Sequence, residues 1–125
     1  MPEMILEHVN NYKQVMDHLP KSILFYRDGV GENQLPLIQD QEFEKTQQLL
    51  QKEFGIEKPK MTVIVVTKRT DEKFMMKDQR GAQNIPGGTI VGNTVTKTEN
   101  INFFLQCQSV NMGTAKTPHY ECIVN

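Results

Sequence analysis

The stretch SILFYRDG, residues 22–29, places a predominantly apolar strand directly before a charged turn. The isoleucine, leucine and aromatic side chains favour a strand, and Gly29 suits the turn that follows it. Asp28 then lies at the end of the strand, where ligands collect in open α/β sheets and where a carboxylate can hold a divalent metal. Aspartate is also a good turn cap. These residues alone therefore leave Asp28 as either a turn cap or a metal ligand.

The segment after this strand predicts a helix and then a second strand. Residues 37–54 carry apolar side chains at helical spacing: Phe43, Leu49, Leu50 and Phe54. Gly55 suits the C-terminal end of that helix. MTVIVVTKR, residues 61–69, is rich in β-branched residues and is typical of a strand buried on both faces. The pattern is a βαβ unit, so we expect two parallel strands with a right-handed crossover.

The rest of the chain predicts one helix and several short strands around this unit. Residues 4–18 show helical spacing, and Pro20 is expected to end that helix. Short strands are expected in KFMM, GTIVGNTVTK, NFFLQCQSV and HYECIV, residues 73–76, 88–97, 102–110 and 119–124. Residues 78–88 are expected to form a long polar loop. A chain of 125 residues predicts a single α/β domain over residues 1–125.

Composition excludes several protein classes. Hydrophobic residues make up 38% and charged residues 23%, which is ordinary for a soluble protein. No apolar run approaches the roughly 20 residues that cross a bilayer, so no membrane partner is expected. Without a secretory signal, Cys107 and Cys122 are interpreted as free thiols of a reducing compartment, cytoplasmic or nuclear. Zinc-site spacing, GxSxG and the P-loop pattern are all absent from the sequence.

The charge pattern offers one basic candidate, because the formal net charge of the chain is only −1. Lys68 and Arg69 follow the second predicted strand. If the two strands are parallel, both cations lie at the same edge of the sheet as Asp28. Cations at that edge suit a phosphate backbone, but a solvated strand end explains them equally well.

Two further polar positions come from the later strands. Gln106 and Gln108 alternate out of an apolar strand, so we expect them on one face of the sheet, turned toward a ligand. His119 begins the last predicted strand. Its sequence context shows no catalytic partner, which favours a structural role.

Four blocks of the sequence, in this order, resemble the Piwi domain of the Argonaute family, and more closely its Piwi branch. They are ILFYRDGVGENQL, PKMTVIVVTKR, IPGGTIVGNTVT and NFFLQCQSVNMGTAKTPHYECIV, at residues 23–35, 59–69, 85–96 and 102–124. The resemblance implies an RNase H-like mixed sheet with flanking helices. It also implies an incomplete domain, corresponding to the middle-to-late part of a Piwi domain.

The resemblance implies site residues as well. Slicer members of the family cut RNA that is paired to a small guide, with carboxylates that hold two Mg²⁺ (or Mn²⁺) ions. Asp28 matches the aspartate of the YRDG block, which is one of those catalytic metal ligands. Lys68, Arg69 and Gln108 match positions near the guide strand. The family's first catalytic aspartate and its last metal ligand have no match in these 125 residues.

These matches predict a small-RNA-guided silencing protein with guide RNA and target RNA as its partners. The parent protein is interpreted as a candidate slicer endonuclease, whereas the isolated chain is expected to be inactive and to hold no metal. The alternative is a non-catalytic Piwi module that binds nucleic acid or protein. An incomplete sheet also leaves an open edge and an apolar face, so self-association is expected.

Overall fold

The computed structural model describes residues 1–29, 31, 34–57 and 59–124, without the side chains of residues 35, 38–40 and 124. Its helical elements are α1 (Pro2–Met16), the single turn α2 (Leu35–Leu37), a π-helical segment (Ile38–Phe43) and α3 (Glu44–Phe54). Its strands are β1 (Ser22–Asp28), β2 (Lys60–Thr67), β3 (Met75–Asp78), β4 (Gly81–Asn84), β5 (Ile90–Val91), β6 (Asn102–Leu105) and β7 (His119–Val124).

Five of these strands form one mixed sheet in the order β1-β2-β7-β6-β5. Strand β6 is antiparallel to both β5 and β7, with Phe103 opposite Tyr120. The rings of that pair are stacked, with centroids 5.1 Å apart. Strands β3 and β4 form a separate antiparallel hairpin. The mixed sheet with its helices confirms the predicted α/β class.

Two helix predictions need correction, the first at its end and the second in its interior. Helix α1 ends at Met16, well before Pro20, because Asp17 adopts a left-handed conformation (φ 59°) and its N–H donates to the Lys13 carbonyl. A C-cap of this kind stops a helix without a proline. The predicted helix over residues 37–54 is interrupted by the π-helical segment. Gly55 does cap α3, with φ 68° and an N–H···O bond to Gln51.

The expected polar loop over residues 78–88 was wrong, because β4 lies within it. The β3–β4 turn is set by side-chain and backbone chemistry: the Arg80 N–H donates to Asp78 Oδ1 at 2.7 Å, and Gly81 has φ 110°. Such turns fix a hairpin even where the strand residues have low β propensity. Residues 88–97 contain only the two-residue β5, and β6 ends at Leu105.

The chain divides into two compact units, and strands β1, β2 and β7 contribute residues to both. The first unit comprises Met1–Phe25, Gly31–Val63 and Ile123–Asn125. Its core consists of five buried side chains from α1, α3 and β2: Ile5, Val9, Leu50, Met61 and Val63. The prediction of a single domain over residues 1–125 stays a prediction.

The second unit comprises Tyr26–Val30 and Ile64–Cys122. Its buried Phe104 contacts Phe74 and His119, at centroid distances of 4.9 and 4.5 Å. Neither Cys107 nor Cys122 takes part in a disulfide, as the sequence predicted. Among the described residues, no helix combines the length and the apolar character that crossing a bilayer requires.

Candidate functional site

The ends of two neighbouring strands bring opposite charges together. Strand β1 ends at Asp28, β2 ends at Thr67, and Lys68 follows directly. Lys68 Nζ lies 2.6 Å from Asp28 Oδ2, an ion-pair distance. The side chains are 66% and 54% exposed, so both remain accessible to a ligand from solvent. The predicted proximity of the two residues is confirmed, whereas their chemical roles stay predictions.

The electrostatics of Asp28 follow from this pair. The hydrogen bond from Lys68 lowers the pKa of Asp28 below its ordinary value, with smaller contributions from the Gly29 N–H and from Arg27. A neighbouring cation favours the charged form of a carboxyl group, which accounts for the direction of the shift. Exposed ion pairs contribute little to folding stability. The pair is therefore better understood as part of a charged surface than as a structural clamp.

Asp28 alone does not form a metal centre. Within the described ranges, no three His, Cys, Asp or Glu side chains come together in a way that could hold a metal ion. Mg²⁺ surrenders its water reluctantly and needs several well-placed oxygen ligands, which one exposed carboxylate does not supply. The described residues therefore do not by themselves fit a two-metal site.

The two candidate glutamines are not on one face. Gln108 is exposed, but the side chain of Gln106 is only 1% exposed. Strict alternation of faces applies only within a strand, and β6 ends before both residues, at Leu105. The expectation that Gln106 is turned toward a ligand was therefore wrong. Gln108 and Arg69 are both exposed, as nucleic-acid contacts would need to be.

A glycine loop packs against the backbone beside Gln108, which sequence reasoning missed. A Cβ atom on Gly87 would lie 2.9 Å from Ser109 N and 3.0 Å from the carbonyl carbon of Gln108. The Gly87 N–H donates to Ser109 Oγ at 3.1 Å. Paired glycines in IPGG signal such a close backbone approach as readily as a turn. The loop thus supports the backbone that carries Gln108.

His119 has a structural environment. Its Nε2 lies 3.2 Å from Asn102 Oδ1, and Asn102 Nδ2 donates to the Lys97 and Asn100 carbonyls at 2.8 Å. These bonds tie the start of β7 to the loop before β6. Tyr120, the residue after His119, has its Oη 3.4 Å from Cys107 Sγ. This hydrogen bond, together with partial burial, raises the pKa of Tyr120 to about 12.

Comparison with known proteins shows which family the chain matches. The Piwi domain model matches residues 1–125. Human Piwi-like protein 3 is 37% identical over 105 residues, which are 84% of this chain and 12% of the human protein. The crystal structure of Drosophila Piwi superposes with a TM-score of 0.77 at 28% identity, over 98% of this chain and 17% of that one.

A second solved structure supports the fold alone. Kluyveromyces polysporus Argonaute, determined with a guide RNA, superposes with a TM-score of 0.79 at 24% identity, over 97% of this chain and 16% of that chain. The chain thus spans about an eighth of the human relative's length and about a sixth of each solved chain. On the match of the family model over its whole length, the chain belongs to the Piwi domain family.

Proposed function

We propose that this chain supplies part of the guide-RNA-binding surface of a small-RNA-guided silencing protein. The observation that carries the proposal is the exposed Lys68 at the end of β2, beside the end of β1. Family membership supports it, and so does the guide RNA bound to Kluyveromyces polysporus Argonaute. The partners of the whole protein would be the guide RNA and its RNA target.

The exposed polar groups suit an RNA backbone. Lys68 and Arg69 supply positive charge for phosphate oxygens, and Gln108 supplies an uncharged amide donor. Gly87 allows a loop to pack closely against the backbone of Gln108 and Ser109, and Gln108 itself is exposed. Because contacts to phosphate carry no sequence information, the proposed surface would hold guides of any sequence.

The first test is the salt dependence of RNA binding. We expect Lys68→Ala to weaken the affinity for a fluorescein-labelled single-stranded RNA and to flatten the plot of log K against log salt by roughly 0.7–1 unit. The reason is that each cation that binds a phosphate releases a counterion from the RNA, so a chain without the Lys68 ammonium releases one counterion fewer on binding. Fluorescence anisotropy titrations at several salt concentrations between roughly 50 and 200 mM measure both the affinity and its salt slope.

The matched control is Lys45→Ala, which removes an exposed lysine from α3. It should leave the salt slope within experimental error of the unaltered chain. If Lys68→Ala behaves like this control, Lys68 makes no phosphate contact. If the unaltered chain shows no salt-dependent RNA binding, the proposed function itself fails.

RNA cleavage is a second proposal and concerns a longer protein. In such a protein Asp28 would be one carboxylate ligand of a Mg²⁺ or Mn²⁺ centre, as the match to the YRDG block suggests. A two-metal centre needs several carboxylates, and the described residues bring no three suitable groups together. For this chain the function best supported is therefore binding without cleavage.

The corresponding expected result is that the 125-residue chain leaves a guide-paired RNA intact. A denaturing gel, after incubation with guide, target and either Mg²⁺ or Mn²⁺, shows this directly. Cleavage that disappears in Asp28→Asn but persists in Asp71→Asn, a control at another exposed aspartate, would contradict it.

Self-association stays a prediction. Strand β1 lies at one end of the five-stranded sheet, and Leu24 and Tyr26 on it are 55% and 57% exposed. An outer strand with apolar side chains of this kind is a site where a second chain can pair.

A further inference from the structure

The side chain of Gln106 is buried with both ends of its amide bonded. Gln106 Nε2 donates to the Gln108 carbonyl at 2.7 Å, and Gln106 Oε1 accepts from Thr117 Oγ1, also at 2.7 Å. Thr117 is fully buried. A buried amide is costly unless it is paired, and here a donor and an acceptor each have a short bond. The amide therefore links the backbone of Gln108 to the segment before β7.

The backbone of Gln106 is hydrogen-bonded at both its N–H and its carbonyl group. The Gly88 N–H donates to the Gln106 carbonyl at 2.7 Å, and the Gln106 N–H donates to the Thr89 carbonyl at 3.0 Å. This pair of bonds fixes residue 106 against the loop whose Gly87 packs on the backbone of Gln108. Gln106 thus joins three chain segments within the second unit.

A further bond extends the network to the basic pair. Thr70 Oγ1 donates to the Thr117 carbonyl at 2.9 Å. Thr70 is the residue directly after Arg69, so Thr117 connects the segment that carries Lys68 and Arg69 with the side chain of Gln106. The chain of contacts runs from Thr70 through Thr117 and Gln106 to Gln108.

From this network we infer that Gln106 is a positioning residue for RNA binding. It holds Gln108 in a fixed position relative to the Lys68–Arg69 segment, so that both meet one RNA backbone. The inference rests on the proposed function. An apolar side chain of similar length would fill the same volume without the two directional bonds. The buried glutamine therefore contributes geometry that packing alone does not supply.

Gln106→Met tests the inference, because methionine has a similar length and neither amide group. We expect the affinity of the 125-residue chain for the labelled single-stranded RNA to fall by roughly five- to tenfold. Amide exchange at Gly88 and at position 106, measured by NMR without RNA in both proteins, should accelerate in the variant. The control is Thr46→Val, which removes a buried hydroxyl in α3 that donates to the Glu42 carbonyl. It should leave RNA affinity and both exchange rates unchanged.

A double-variant cycle separates positioning from a general loss of stability. If Gln106 acts through Lys68 and Gln108, adding Gln106→Met to the Lys68→Ala, Gln108→Ala background should change affinity by less than about twofold. A purely structural role would give the same fold-change in both backgrounds, and that result would overturn the inference.

The outcomes also distinguish this inference from the proposed function. A chain that binds no RNA before any substitution overturns the proposed function, and the role of Gln106 in RNA binding falls with it. RNA binding that depends on Lys68 but is unaffected by Gln106→Met supports the proposed function and overturns the inference. If exchange at Gly88 and at position 106 is the same in Gln106→Met as in the unaltered chain, the side-chain amide does not hold these segments, and the inference is overturned as well.

Discussion

Leu50→Ala is expected to lower the free energy of unfolding by about 2–5 kcal/mol. Leu50 is completely buried in the core of the first unit, among side chains from α1 and β2. Truncation to alanine removes apolar surface from that core and leaves a cavity, because a close-packed interior collapses only partly. Urea denaturation followed by circular dichroism at 222 nm measures the loss, since α1 and α3 dominate that signal.

Leu37→Ala is the matched control, a second helical leucine that is 52% exposed. It should cost less than about 1 kcal/mol, because most of its side chain remains in water in either state. Equal losses in the two variants would show that Leu50 does not occupy the core position described above.

Gly87→Ala is expected to destabilise the second unit by about 1–3 kcal/mol. The added Cβ atom would lie 2.9–3.1 Å from backbone atoms of Gln108 and Ser109, and backbone cannot move aside as a flexible side chain can. One of the two segments must therefore shift. Urea titration followed by the NMR amide signals of Phe104 and His119, both in this unit, measures the loss.

Gly92→Ala provides the control for this glycine. No heavy atom lies within 4 Å of the position that its Cβ would occupy. Its free energy of unfolding should change by less than about 0.5 kcal/mol. If Gly87→Ala is tolerated equally well, the loop does not pack on the backbone beside Gln108, and the support of that segment must come from Gln106 alone.

Local chemistry was sufficient to predict part of the fold. Strand β7 was predicted over the residues where it occurs, 119–124, because HYECIV carries aromatic and β-branched side chains, which favour a strand. Gly55 was predicted as a helix cap, because a left-handed residue is needed there and glycine adopts that conformation at little cost. Both predictions depend on neighbours within a few residues.

The features that were missed depend on pairing with another segment rather than on the propensity of their own residues. Strand β4 has the sequence GAQN, which has low β propensity, and it forms because β3 pairs with it. Gln106 is buried because Thr117, 11 residues away, bonds to its amide, and Thr70 reaches Thr117 across 47 positions. Strand alternation could not anticipate this, since β6 had already ended.

Part of the candidate site was also predicted from the sequence, and part of it was missed. Asp28 and Lys68 were predicted together from their positions at the ends of neighbouring strands, which is a property of sheet topology. Their mutual pairing was not predicted, because the sequence shows which residues reach an edge but not which of them meet. The sequence likewise gave no sign that Gln106 lies inside and Gln108 outside.

The ion pair between Asp28 and Lys68 makes occupancy by anions and by cations interdependent. The sequence interpretation gave each residue a separate external ligand, yet in the folded chain each is the other's counterion. A phosphate that binds the Lys68 ammonium in place of Asp28 would leave the Asp28 carboxylate without its counterion. The affinity of that carboxylate for a cation from solution would then rise. By thermodynamic reciprocity, a cation on Asp28 strengthens phosphate binding at Lys68 by the same factor. A polyanion that arrives with its own counterions can therefore satisfy both residues in a single exchange.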